Sequence, residues 1–237
     1  MGIALKPVVR RPEQVPARLV APGVTAAEML NDQHGCRGLH QRRLRLAGDA
    51  PLDGTAEGQG EAWYVIRGSG VLDAGAAGTA ELRPGTAVWL RSSQGYRCRG
   101  DLEMLVITVR ADAAEDHTGQ ALRVTTLDAC PVERTGDREF RVLLSEGLSI
   151  TQFAGLIPPG RAPEHQHTYD EVVHVLAGRG VVHLDGTGTP AGTAIGPGTS
   201  IYLPPLQPHC LENTGPEPLR VLGVFHPAGS PAAKQVS

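Results

Sequence analysis

The chain has 237 residues, 41% hydrophobic and 20% charged, with 22 basic against 25 acidic side chains and a formal net charge of −3. That apolar content excludes a disordered chain, no apolar run approaches the ~18 residues of a membrane-spanning helix, and no basic stripe is present to follow a phosphate backbone. Only Lys6 and Lys234 are lysines, so Schiff-base chemistry has no candidate within the body of the chain. The N-terminus MGIALKPVVRRPEQVP lacks an apolar segment followed by a cleavage site, so a cytoplasmic location is expected, with neither nucleic acid nor membrane as a partner.

In chain order, residues 1–29 read as an N-terminal extension. Val8, Val9, Val15, Leu19 and Val20 suit it to supply an edge strand to a second copy, and hence predict a homodimer. At its end, TAAEML (25–30) predicts a short helix, because Thr25 and Glu28 have the spacing of a capping box. Residues 30–111 then break into short aliphatic and β-branched runs bounded by Gly and Pro, such as AWYVIRGSG (62–70), AVWLR (87–91) and LEMLVITV (102–109). Residues 112–140 are expected to be a linker, opening with the acidic, aperiodic stretch around ADAAEDHTGQ. The same grammar returns in residues 141–229, as EVVHVLAGRG (171–180), SIYLP (200–204) and LRVLGVFHP (219–227), before a tail at 230–237. Runs of this length and punctuation predict an all-β sandwich or barrel.

The chain repeats itself at a period near 110. Glu61-Ala-Trp-Tyr-Val-Ile-Arg-Gly68-Ser-Gly70 aligns with Glu171-Val-Val-His-Val-Leu-Ala-Gly178-Arg-Gly180, and Arg83-Pro-Gly85-Thr-Ala-Val-Trp-Leu90 with Gly196-Pro-Gly198-Thr-Ser-Ile-Tyr-Leu203. The small difference in offset falls in the glycine-rich hairpin DGTGTPAGTAIG, where insertions are tolerated. The four cysteines, Cys36, Cys98, Cys130 and Cys210, contain no CxxC pair, so a disulfide framework or zinc knuckle is not expected.

The second copy carries ligand chemistry in Pro163-Glu164-His165-Gln166-His167-Thr168-Tyr169-Asp170-Glu171. Two histidines two residues apart on a strand point to one face, and a short turn returns Glu171 to it. His209, in LPPLQPHCLEN, comes from another strand. His165, His167, Glu171 and His209 make a set suited to one divalent transition metal ion per chain, whether Fe, Mn, Ni or Zn, with positions left open for water or substrate. Gln152 and Phe153 lie on the strand leading into the histidine pair and are candidates to face substrate, as is His183, which by sequence fits the pocket and the barrel rim equally. His174 has the opposite parity to Glu171 and is expected on the other face, in a structural or interface role.

The stretch Gly160-(x)4-His165-x-His167-(x)3-Glu171-(x)6-Gly178 resembles the first cupin motif, and Gly198-(x)5-Pro204-x-Leu206-(x)2-His209-(x)3-Asn213 the second. Two features depart from the pattern. Four rather than five residues precede the first histidine, and Leu206 stands where glycine is usual. Together with the repeat, the motifs make the chain similar to a bicupin. That resemblance implies two tandem double-stranded β-helix or jelly-roll barrels with the metal inside one end of the second.

In the first copy, Thr55, Glu57, Glu61 and Tyr96 stand opposite the four ligands. Without imidazoles this set is poor for a transition metal, leaving either a hard-cation or substrate site, or a metal-free barrel kept for packing. The 3-His/1-Glu set of the second copy is that of several cupin dioxygenases, which implies oxidation of a small phenolic, enolic or dicarbonyl substrate. A non-redox cyclase, isomerase or hydrolase, and a non-catalytic small-ligand binder, are the alternatives. No catalytic side chain beyond the metal ligands is assigned. A sugar-phosphate substrate is disfavoured, because the cations counted in repeat two are only Arg141, Arg161, Arg179 and Arg220.

Overall fold

In the computed structural model, which describes residues 5–48, 50–110, 119–184 and 192–232, the chain folds into antiparallel sheets with no α-helix among the described residues. Among the described residues no helix is long and apolar enough to cross a membrane. The first barrel is a nine-stranded sheet. Its main path runs Leu122–Thr126, Thr86–Arg91, Gly60–Asp73, Gly95–Val109, Leu39–Leu46, Val24–Leu30 and Arg18–Ala21, with Leu52–Thr55 and Thr79–Leu82 pairing on the two long strands. The second barrel closes a seven-stranded sheet over a four-stranded one. The larger runs Val8–Arg10, Ser200–Leu203, Asp170–Ala177, Leu219–His226, Thr151–Ile157, Arg138–Leu144 and Glu133–Thr135; the smaller runs Gly160–Arg161, His209–Asn213, Gly180–Leu184 and Thr193–Ile195.

The internal repeat is reproduced at the level of individual turns. Gly85 and Gly198 sit at φ +85° and +86°, a left-handed conformation that glycine adopts without steric penalty. Each donates its amide to the equivalent strand residue, Val65 O at 2.9 Å and Val175 O at 2.8 Å. Thr86 and Thr199 close both turns through their hydroxyls, accepting from Arg83 N and Gly196 N. Just beyond Val65 and Val175 the pairing register shifts in both copies, the β-bulge that lets a strand bend around a barrel end.

Strand parity decides what each face touches. In Asp170–Ala177, Val173 and Val175 point into the second barrel, packing on Ile157, Val182, Ile201 and Val221. Val172 points the other way, with Tyr202, Leu222 and Val224, into a core shared with Met29, Leu39, Tyr64, Trp89 and Ile107 of the first barrel. At that junction His174 is buried, and its Nδ1 donates to Ser200 Oγ at 2.9 Å. The Ser200 hydroxyl donates in turn to Gln41 Oε1 of the first barrel. His174 thus has the opposite facing that its parity predicts, and one polar chain crosses the apolar interface with hydrogen bonds at each step.

Three sequence expectations differ from the structure. TAAEML is not a helix: Val24–Leu30 is a strand, with Glu28 opposite Arg42 in register with Leu39–Leu46. The capping-box spacing is outweighed by burial of Val24, Ala26, Ala27, Met29 and Leu30 between sheet partners. The extension's strand Val8–Arg10 pairs within its own chain, against Ser200–Leu203 of the second barrel. Residues 112–140 do more than link. Leu122–Thr126 adds a strand to the first barrel and Glu133–Thr135 to the second, while 111–118 lie outside the described residues, as do 185–191 of the expected hairpin and the end of the tail, 233–237.

Candidate metal centre

At the end of the second barrel near residue 165, backbone pairing brings the histidines together. His165 and His209 form an isolated bridge, each amide donating to the other's carbonyl at 3.0 and 2.9 Å, which sets their rings 4.4 Å apart. His167 follows two residues on, its ring 5.0 Å from that of His165 and 4.9 Å from that of His209. One donor atom from each of the three histidines lies within 4.8 Å of the others. Glu171 reaches the same point from the start of the strand Asp170–Ala177, with Oε2 at 2.8 Å from His167 Nε2 and 3.7 Å from His209 Nε2.

The hydrogen bonds behind the rings fix their tautomers. His165 Nδ1–H donates to Pro163 O at 3.1 Å and His209 Nδ1–H to Gln207 O at 2.9 Å, so both Nε2 lone pairs are free to face the centre. His167 is held differently. Its ring stacks on Tyr169 at 4.9 Å and 9°, its Nε2 shares a hydrogen bond with Glu171 Oε2 at 2.8 Å, and its buried Nδ1 makes no hydrogen bond among the described residues.

Burial sets the charge of the cluster. Desolvation pushes His209 down to about 3 and His167 down to about 4, and His165 also falls. The same desolvation pushes Glu171 up to about 8, opposed by the positive charge of Arg138. Three neutral imidazoles and a carboxyl ready to release its proton are the states a divalent cation requires of its ligands. The donor set and the anchored tautomers therefore fit a first-row divalent ion.

The cluster opens into a cleft with ≈ 670 Å³ of empty space counting its mouth. Its walls are mostly apolar, from Phe140, Phe153, Phe225, Val173, Leu203 and Leu211, and Thr135, Arg138 and Pro231 also line it. Of the expected substrate residues, Phe153 lines this cleft. Gln152 does not: it is fully buried on the opposite face of its strand. Nor does His183, whose Nε2 donates to Glu212 Oε2 at 2.7 Å in the smaller sheet. The sequence reading passed over Phe140, Phe225 and Arg138. The signal was present as the alternation Arg138, Phe140, Val142 on one strand face, but the expected boundary at 141 cut through it. Arg141, counted among the pocket cations, faces the other way and donates to the carbonyls of Leu127 and Cys130.

The equivalent place in the first barrel is built from different chemistry. Glu61 is fully buried and accepts from Arg42 Nη2 at 3.1 Å and Trp63 Nε1 at 3.0 Å. Thr55 and Glu57 are exposed, and Tyr96 packs edge-on against Trp63 at 4.8 Å. A guanidinium thus stands where a cation would otherwise meet the carboxylate. All four cysteines are buried and free, and Cys210 Sγ accepts from Arg161 Nε at 3.2 Å.

Two antiparallel barrels joined through an apolar core, with a histidine cluster at one end of the second, define a tandem jelly-roll protein. Within it, residues 154–225 match the family model described as Cupin domain. An uncharacterized protein of Methanocaldococcus jannaschii is 32% identical over 84 residues, a match spanning 35% of this chain and 64% of that protein. Among solved structures, Bacillus subtilis oxalate decarboxylase, in a study of its Mn(II) centers, superposes with a TM-score of 0.75. That match has 15% identity and covers 97% of this chain and 79% of that one. The protein Ylba of E. coli superposes at 0.76 with 13% identity, covering 94% and 91% of the two chains. These likenesses show the fold of the whole chain.

Proposed function

We propose that the second barrel holds one divalent transition metal ion through His165, His167, Glu171 and His209, and that the chain uses it as a dioxygenase of a small phenolic, enolic or dicarbonyl molecule. The observation that carries the metal assignment is the pair of backbone-anchored tautomers, His165 to Pro163 and His209 to Gln207, which aim two lone pairs at Glu171 and His167. If bound, such an ion would supply a Lewis-acid and redox centre able to hold a chelating substrate and dioxygen together. Burial raises the Glu171 carboxyl, which would have to be ionised to hold the cation. Phe140, Phe153 and Phe225 exclude water from the reacting end of the cleft. Among the described residues lining the cleft, the only ionisable groups besides the four ligands are Arg138 and Glu139, and Glu139 is engaged by Arg134 at 2.6 Å.

The first barrel, on this reading, binds no metal, since Arg42 neutralises Glu61 in place. The chain is proposed to work as a homodimer through the edge strand Arg18–Ala21, where Leu19 is 72% and Val20 58% exposed. Metal analysis of protein purified without chelators should give about one equivalent per chain, lost in His167→Ala and kept in Glu57→Ala. Two equivalents would overturn the single site. Oxygen uptake on catechols, flavonols or β-dicarbonyls should vanish in the zinc form. Full anaerobic turnover by that form would replace the dioxygenase with a non-redox enzyme, and tight ligand binding without turnover would replace it with a binding protein.

A further inference from the structure

Arg138 opens the strand Arg138–Leu144 and stands on the same face as Phe140 and Val142, whose side chains join Phe153, Tyr169 and Phe225 beside the histidine cluster. It lines the cleft, and its charge acts on His165, Glu171 and His209, so it lies within electrostatic reach of three of the four ligands. Its Nε is buried without a hydrogen bond, and its guanidinium makes no side-chain hydrogen bond or ion pair among the described residues. The neighbouring carboxylate does not neutralise it. Glu139 also lines the cleft, but its Oε1 is taken by Arg134, accepting from Nε and Nη2 at 3.0 and 2.6 Å. A half-buried guanidinium left unpaired beside apolar walls is costly unless something arrives to pair with it, and a guanidinium is built to take a carboxylate through two parallel bonds.

Resting on the metal-site reading above, we propose that Arg138 is the specificity-determining residue of the cleft, and that the substrate is a small organic carboxylate with an apolar body, its anionic end on Arg138 and its reacting end toward the histidine cluster. A phosphate fits less well. Its second charge would find no further cation among the described residues lining the cleft, whose walls are mostly apolar. The apolar body is matched by the ring-lined wall between Phe140 and Phe225, and the carboxylate's single charge by Arg138, the one cation among the described residues lining the cleft.

The test uses benzoate as the anionic probe and benzyl alcohol as its neutral counterpart, titrated calorimetrically into the full-length protein, metal-loaded and metal-stripped. Arg138→Met keeps the length of the side chain and removes its charge; Arg138→Lys keeps the charge and loses the fork. Benzoate affinity should fall ~10- to 100-fold in Arg138→Met in both metal states, the range of a hydrogen bond to a charged group. Arg138→Lys should recover part of it, and benzyl alcohol should be unaffected by either change. Equal benzoate affinity in wild type and Arg138→Met, or no benzoate binding by wild type at millimolar concentration, overturns the proposal. Metal content measured on the same samples separates the two readings. Arg138-dependent binding in protein that takes up no metal removes the metal site and leaves the anion site. Normal metal content with Arg138-independent binding does the reverse. Unchanged thermal unfolding of both variants shows that the fold is intact, and a variant that unfolds is replaced by Arg138→Gln in the same titration.

Discussion

Arg42→Met tests whether a fixed guanidinium has taken the place of a metal in the first barrel. Arg42 Nη2 lies 3.1 Å from Glu61 Oε1, with the two side chains 25% and 1% exposed. At an effective dielectric near 20 such a pair attracts by about 5 kcal/mol, but the loss cannot reach that figure. Once unpaired, Glu61 can take a proton, which limits the penalty to about 1.4 kcal/mol for each pH unit above the carboxyl's own titration point. The ordinary value is 4.5, and burial raises it in the folded chain, with Trp63 and Arg42 opposing the rise. The cap is therefore about 3 kcal/mol at pH 7 and below about 1 kcal/mol at pH 5. The sign follows from the same fact. Removing Arg42 raises the folded-state value further, so stability is kept below the unfolded value and lost as pH rises through the folded one. Urea unfolding of Arg42→Met against wild type should show a penalty that grows from pH 5 to pH 8 and is mostly removed by adding Glu61→Gln. A penalty equal at both pH values, or no coupling between the two substitutions, would falsify the assignment of Arg42 as the cation that Glu61 requires.

His174 should act in the opposite sense. Burial, with Arg43 nearby, pushes it from 6.5 down to about 3, so its stabilising contribution is complete above pH 6.5 and is lost as pH falls toward 3, because only the unfolded chain protonates readily in that interval. Comparing urea midpoints at pH 7.5 and 5.5, wild type should lose stability more steeply than His174→Asn, by up to about 1.4 kcal/mol per unit; parallel slopes would remove His174 from the junction's energetics. For the proposed dimer, light scattering at micromolar concentration should give twice the chain mass for wild type and one chain mass for Leu19→Glu, and a monomeric wild type would refute it.

What the sequence determines alone is whatever has a short period or a fixed local spacing. Alternation of two and Gly-Pro punctuation set an all-β chain, and the recurrence of Glu61–Gly70 in Glu171–Gly180 announced two copies whose Gly85 and Gly198 turns differ by one degree in φ. His165 and His167 are read as facing one side from strand parity, but the structure puts them outside any strand, His165 on an isolated bridge to His209, and it is that bridge that brings the rings together. Tertiary structure decided what periodicity cannot encode. TAAEML has helix-start spacing but becomes a strand because its apolar residues are buried between two sheets. Gln152 and Phe153 are adjacent in sequence, yet only Phe153 reaches the cleft, since which parity faces the barrel depends on the side from which the first barrel packs. Arg42 pairs with Glu61, and Arg138 acts on the ligand cluster, across 19 and at least 27 residues of chain. Those meetings are fixed by the closure of sheets, in which each strand's neighbours are chosen by burial of both faces at once rather than by the residues beside it in the chain.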